Sequence, residues 1–289
     1  MRRRALTALL VVGLLLPAWP AGRLAWARDK GKRPGKTAGL PPEEVYQLAL
    51  DKIARKRYFA ARTILQELLP RIPPEDRELL PKVQLAIADA FFQDGGLVNF
   101  GEALNSFRNF LTYFPQHERA DYAQYMVGMS MFRQVLAPDR DQGMTLKAID
   151  ELRKVETLHP DSTYAALARQ TIDQCHDRLA EKERLVGHFY QKRKSWPAAA
   201  DRYRFVLDHY PRFNNMNRVL LDLGGCLLAL NRRDEAQEVI DRLAREDASG
   251  KLSRQAQNLL AEYERRREKE GEKLYGDLDK QERKKASGS

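Results

Sequence analysis

Between about residue 42 and residue 270, apolar side chains recur three and four positions apart, in blocks of thirteen to thirty residues separated by Pro, Gly, Asn or Asp. That spacing places them on one face of an α-helix. The predicted helices are 42–56, 58–70, 78–93, 98–113, 118–135, 142–158, 162–192, 196–209, 215–230, 233–246 and 252–270. The stretch 162–192 meets no breaker before Gly187, and Asp161, Ser162 and Thr163 supply N-cap candidates behind Pro160. No run alternates with period two for long enough to predict a strand.

The blocks repeat. In "LVGHFYQKRKSWPAAADRYRFVLDHYP" (Leu185–Pro211), Gly187 and Tyr190 fall on a first helix, Ala199 and Tyr203 on a second, and Pro211 ends the unit. This is the register of the 34-residue tetratricopeptide repeat, with small residues where its two helices touch and a proline at the exit. The same register fits Ala88, Phe91, Ala103, Phe107 and Pro115, and then Gly128, Ala148, Leu152 and Pro160. It also fits Leu48, Ala49, Ala61, Leu65 and Pro73, with Lys52 where a large ring is usual. The last unit has Leu223, Gly224, Ala236 and Ile240, but Ala248 replaces the closing proline. The expectation is an all-α tetratricopeptide superhelix of about five helix pairs plus a terminal helix. A bulky residue at Gly187 or Ala199 should overpack it.

In such an array the first helices line a concave groove. The positions expected there are Tyr46, Lys82, Asp89, Phe92, Tyr122, Tyr125, Phe132 and Arg133. Rings with a few charges suit peptide capture; each ring can instead pack against a neighbouring helix.

The ends differ from the body. "MRRR" precedes the apolar "ALTALLVVGLLLPAW", and "AWA" at residues 25–27 offers a small-x-small cleavage pattern. The run is short for a membrane span and is interrupted by Pro17 and Pro20. Residues 1–27 are expected to be a cleaved export signal, giving a mature chain from Arg28 without lipid. Residues 28–41 form a linker, 42–270 the repeat domain and 271–289 a charged disordered tail. Removing the four arginines of residues 1–27 would lower the net charge from +10 to about +6. The remaining excess lies in "RDKGKRPGK" and in the tail, which read as solvated ends, not as a nucleic-acid footprint.

Chemistry-bearing patterns fall away on inspection. "GKRPGKT" is one residue short of a phosphate-binding loop and follows no strand. "VGMSM" has Met131 where a nucleophile elbow needs glycine. The five histidines lack metal-ligand spacing; His117, His159 and His209 lie beside helix-ending prolines, where a positive charge suits the C-terminal dipole. The acids of "DRDQ" (Asp139–Gln142) belong to a turn and a helix start, with no partner base. Cys175 and Cys226 could pair in an oxidising envelope compartment, but they sit among helix-face apolar residues, as free buried thiols would. No catalytic residue, metal site or cofactor is predicted.

"ADYAQYMVGMSMF", the insertion with "DRDQ", "HPDSTYAALARQ" and "DRLAEKERLVGHFYQKRKSWPAAADRYRFVLDHYP" follow one another in order. In these runs the chain resembles the BamD family, the tetratricopeptide lipoprotein subunits of the outer-membrane β-barrel assembly machinery. The resemblance covers about residues 42–246 and is sharpest over 120–211. It implies a periplasmic scaffold at the inner face of the outer membrane. Its C-terminal repeats would dock on a POTRA domain of the barrel-forming subunit, and its N-terminal repeats would receive unfolded outer-membrane protein segments. It places the family's interface arginine on Arg202, which a solvated outer helix face would equally accommodate. The family's lipid-bearing cysteine directly after the signal has no counterpart here. The chain is therefore either held at the membrane by its partner or a relative with another task, such as an adaptor for envelope constriction or cell-wall synthesis.

Overall fold

The structure, a computed structural model, describes Thr37, residues 39–247 and residues 250–287, without the side chains of 279 and 282–287. The expected export signal, its cut before Arg28 and most of the linker lie outside the described residues. The chain from Pro41 onward forms one unit.

Among the described residues the fold is all helical. The helices are α1 (Pro42–Ala54), α2 (Tyr58–Leu68), α3 (Leu79–Asp94), α4 (Leu97–Tyr113), α5 (Ala120–Phe132) and α6 (Gly143–Leu158). They continue as α7 (Thr163–Lys192), α8 (Trp196–His209), α9 (Met216–Ala229), α10 (Arg233–Glu246) and α11 (Lys251–Ser287). Each packs on the next, as antiparallel pairs stacked in a row must. The five pairs and terminal helix form the expected tetratricopeptide superhelix.

Two turn types repeat. Within pairs, Lys56, Lys194 and Asn231 adopt φ of 57, 59 and 58°, left-handed residues that stop α1, α7 and α9. Between pairs, Phe114, His159 and Tyr210 leave their helices with ψ of 56 to 58°, out of the helical region that a following proline disfavours. Asp247 takes the same exit with ψ of 56°, although alanine follows it. The turn geometry thus outlasts the loss of its proline.

Small residues mark the helix contacts. A Cβ added at Gly187 of α7 would stand 2.7 Å from Cε1 of Tyr203 on α8, and one at Gly128 of α5 would stand 2.6 Å from Cδ2 of Leu152 on α6. Gly187→Leu should therefore lower unfolding stability by about 1–3 kcal/mol. A urea titration checks it, and an unchanged midpoint would show that the pair can spread without cost.

Helix α7 is the spine. Its thirty residues span about 45 Å. Its first half (Ala168, Ile172, Cys175) completes a core with α5 and α6. Ala180 begins a second core that runs through α8, α9 and α10 to Ala256 and Leu260 of α11. Ser162 caps α7 by accepting from Tyr164 N at 3.1 Å.

Helix α11 continues to Ser287, through the segment expected to be a disordered tail. In that part Leu274, Tyr275 and Leu278 are exposed; Lys, Glu and Arg favour helix intrinsically, and the pair Lys280–Asp277 (3.8 Å) adds local support. His117 also differs from expectation. Its Nδ1 accepts from Arg119 N at 3.0 Å, so its ring serves the chain entering α5 and not the end of α4. His209 does meet a late carbonyl of its own helix, that of Phe205, at 3.0 Å. Cys175 and Cys226 are free and fully buried, and burial pushes each thiol up to about 12.

Candidate functional site

Odd-numbered helices touch their odd-numbered successors: α1 meets α3, α5 meets α7, and α7 meets α9. Even-numbered helices make no comparable contacts with one another among the described residues. The odd helices therefore line the inner side of the curve, where the radius is shorter, and their free faces form the groove.

Four expected groove residues converge at its N-terminal end. The Tyr122 hydroxyl on α5 donates to Asp89 Oδ1 on α3 at 2.5 Å. Burial raises the Asp89 carboxyl above the usual carboxylate range, while the Tyr122 hydrogen bond and the Arg119 charge pull against it. Burial likewise raises the Tyr122 hydroxyl, which Asp89 raises further. Tyr46 of α1 lies within the electrostatic reach of Lys82, Asp89 and Arg119, and burial raises its hydroxyl. Lys82 is held at the rim by Glu78, at 3.0 Å.

Arg119 and Tyr164 complete this cluster, and sequence reasoning had named neither as a groove residue. The Arg119 guanidinium lies 4.5 Å from the Tyr122 ring centre. The Tyr164 ring is 5.2 Å from that of Tyr122 and 5.5 Å from that of Tyr125, joining α5 to α7 in one aromatic row. The parallel between "DYA" (Asp121–Ala123) and "TYA" (Thr163–Ala165) is the signal that would have found Tyr164.

The other expected positions separate from this cluster. Phe92 meets Phe100 at 5.6 Å, with Arg133 5.8 Å from its ring centre, at the far end of α3 and α5. Phe132 packs onto the α5–α7 core, and Tyr125 contributes to that core as well as to the aromatic row. Further along, the groove turns polar. Buried Asp222 of α9 pairs with Arg218 at 3.0 Å beside a cavity of about 290 Å³ shared with Gln191 of α7 and Gln255, Asn258 and Glu262 of α11. Helix α11 so occupies the C-terminal end of the inner face.

Arg202 lies on α8, on the outer side. It is 46% exposed and bonds Glu183 of α7 at 2.9 Å. Beside it Tyr190, Ala198, Asp201 and Phe205 line a shallow cavity of about 310 Å³. Arg202 therefore already has a carboxylate from its own chain, which its sequence position did not reveal.

These features define a tetratricopeptide array with a preformed aromatic and charged groove at one end and a basic–aromatic patch on its outer side. The family model described as "Outer membrane lipoprotein" (YfiO) matches residues 39–239, and the chain belongs to this family. It is similar to the outer membrane protein assembly factor BamD of Rickettsia prowazekii, 26% identical over 261 residues that cover 90% of this chain and 98% of that one. It is also similar to the BamD of Caulobacter vibrioides, 30% identical over 218 residues covering 75% of this chain and 70% of that one. Among solved structures, the TPR2AB domain of yeast Sti1 in complex with pHSP90 aligns with a TM-score of 0.38 and 12% identity, covering 77% of this chain and 98% of that one. Among the described residues no helix is long and apolar enough to cross a membrane.

Proposed function

We propose that this chain is a non-catalytic, exported scaffold of outer-membrane β-barrel protein assembly, working in the periplasm at the inner face of the outer membrane. Family membership supports the assembly role. The observation that carries the mechanism is the Tyr46–Asp89–Arg119–Tyr122–Tyr164 cluster, in which a carboxylate, a guanidinium and three rings from four odd or adjoining segments are fixed before any ligand arrives. Preorganised rings can stack on or flank the side chains of an extended segment, while Asp89 and Arg119 offer an acceptor and a donor. Little ordering cost falls on the protein. Unfolded outer-membrane protein segments are the ligand this reading assigns to the groove. The outer patch around Arg202 is assigned to a POTRA domain of the barrel subunit, and membrane association to that partner, with no cofactor, metal or nucleic acid.

Tyr122→Ala removes the ring that touches Asp89, Arg119 and Tyr164 at once. It should weaken binding of a synthetic outer-membrane β-strand peptide by at least about 2 kcal/mol, as central aromatic anchors do. Fluorescence anisotropy against the wild type measures this, with a thermal melt to establish that the variant is folded. Unchanged affinity in a folded variant would remove the groove from substrate receipt. Affinity purification from envelope extracts tests the assembly role separately, through recovery of the barrel-forming subunit.

A further inference from the structure

The turns inside helix pairs all lie along one edge of the array, because each even helix starts where its odd partner ends. At the first two pairs this edge is unlike the rest of the surface. Phe59 opens α2 at 74% exposed, and Leu97 and Val98 open α4 at 68 and 77%. Gly95 and Gly96, with φ of 74 and 84°, reverse the chain tightly enough to make these two residues the first of their helix. An exposed apolar residue alone means little, whereas three at one place rimmed by charge mark a contact surface.

A chain of contacts through Arg62 links the two helix starts. Buried Arg62 has its guanidinium 5.9 Å from the Phe59 ring centre and 4.5 Å from that of Phe91 on α3. It pairs with Asp94 at 2.8 Å, and Asp94 accepts from Asn99 beside Val98 at 3.2 Å. Of the nearby acids, Asp94 is neutralised by Arg62 and Asp51 by Arg55 at 3.0 Å, while Glu102, one turn along α4 from Val98, is exposed. Lys56 and Arg57, both exposed in the α1–α2 turn, have no acidic partner among the described residues. The surface therefore offers unpaired cations next to apolar side chains that project into solvent.

We propose that, in addition to the attachment assigned above to the barrel subunit, this edge of the first two helix pairs docks on an anionic phospholipid surface, with Phe59, Leu97 and Val98 entering the headgroup region and Lys56 and Arg57 meeting lipid phosphates. That combination of shallow apolar insertion and basic rim is the chemistry of interfacial membrane binding. A protein partner or a second copy would satisfy the apolar side chains but gives no reason for an unpaired basic rim. The two thiols of the chain are both buried, so the folded array offers neither Cys175 nor Cys226 to an acyl chain.

Those buried thiols also make the test selective. In the full chain, Val98→Cys is labelled with an environment-sensitive fluorophore and mixed with phosphatidylcholine vesicles with or without phosphatidylglycerol. Emission should move to the blue only on the anionic vesicles and return when salt is raised. The partition should fall about tenfold in Lys56→Asn/Arg57→Glu, in which asparagine suits the left-handed backbone at position 56. The same label at Tyr113→Cys, 65% exposed at the opposite end of α4, should not respond. Because the probe reports its own position, binding through any other part of the chain does not mimic the result. No shift at Val98, or an equal shift on neutral vesicles or at position 113, overturns the proposal. A shift that grows with protein concentration without vesicles overturns it in favour of self-association.

Discussion

Tyr203→Ala is expected to lower unfolding stability by about 3–5 kcal/mol, the range for deleting a large buried aromatic side chain. Tyr203 is fully buried among the residues that join α7, α8 and α9. Its ring fills the space left by Gly187, and its hydroxyl donates to Gln191 Oε1 at 2.7 Å. Truncation opens a cavity that Gly187 cannot fill, in the segment where the spine passes from one core to the next. Tyr203→Phe keeps the ring and should cost about 1 kcal/mol, since only a hydrogen bond to a partly exposed amide is lost. Parallel urea titrations separate the two. A loss below about 1 kcal/mol for the alanine variant would mean that α8 closes onto α7 without the ring, and that Tyr203 is not the keystone of this pair.

The same contact shows why so much of the fold was legible. Gly187 and Tyr203 identify each other through the repeat register, because a small residue on one helix and a ring on the next is a local signature of their packing. Prolines 115, 160 and 211 then punctuate the pairs. The register assigns a residue to the inner face but not its contacts: Phe132 and Tyr122 are both half-buried against a core, and only the bond to Asp89 and the Arg119 guanidinium set Tyr122 apart. It was also silent about Arg119, which lies outside the helix whose ring it covers. The helical course of residues 271–287 was missed for a different reason. An absent apolar face argues against packing, but charged residues of high helix propensity can continue a helix that a packed segment has already nucleated. The Asp247 exit shows the converse: stacking fixes a turn even where the residue that usually encodes it has gone.

Arg202→Glu is expected to reduce affinity for the POTRA-bearing subunit by roughly 2–5 kcal/mol. Arg202 projects from the outer side of α8 beside Phe205 and Tyr190, so a partner could cover a basic and an aromatic anchor together, the residue types that dominate interfaces. Its bond to Glu183 sharpens the expectation. The guanidinium is held in place before the partner arrives, and it has donors to spare for a second carboxylate. Reversing the charge repels both that carboxylate and Glu183. Glu183→Gln frees Arg202 without removing it, and should cost the complex far less than Arg202→Glu does. Arg202 is nearly half exposed and Glu183 about one-sixth exposed, so solvent screens the pair only in part, and neither variant should lower unfolding stability by more than about 1 kcal/mol. Co-purification or calorimetry with the barrel subunit, alongside thermal melts, measures all of this. If Arg202→Glu leaves binding intact, the arginine serves only to tie α8 to α7. If it lowers stability strongly, Glu183 and Arg202 form a structural bridge and the docking face lies elsewhere.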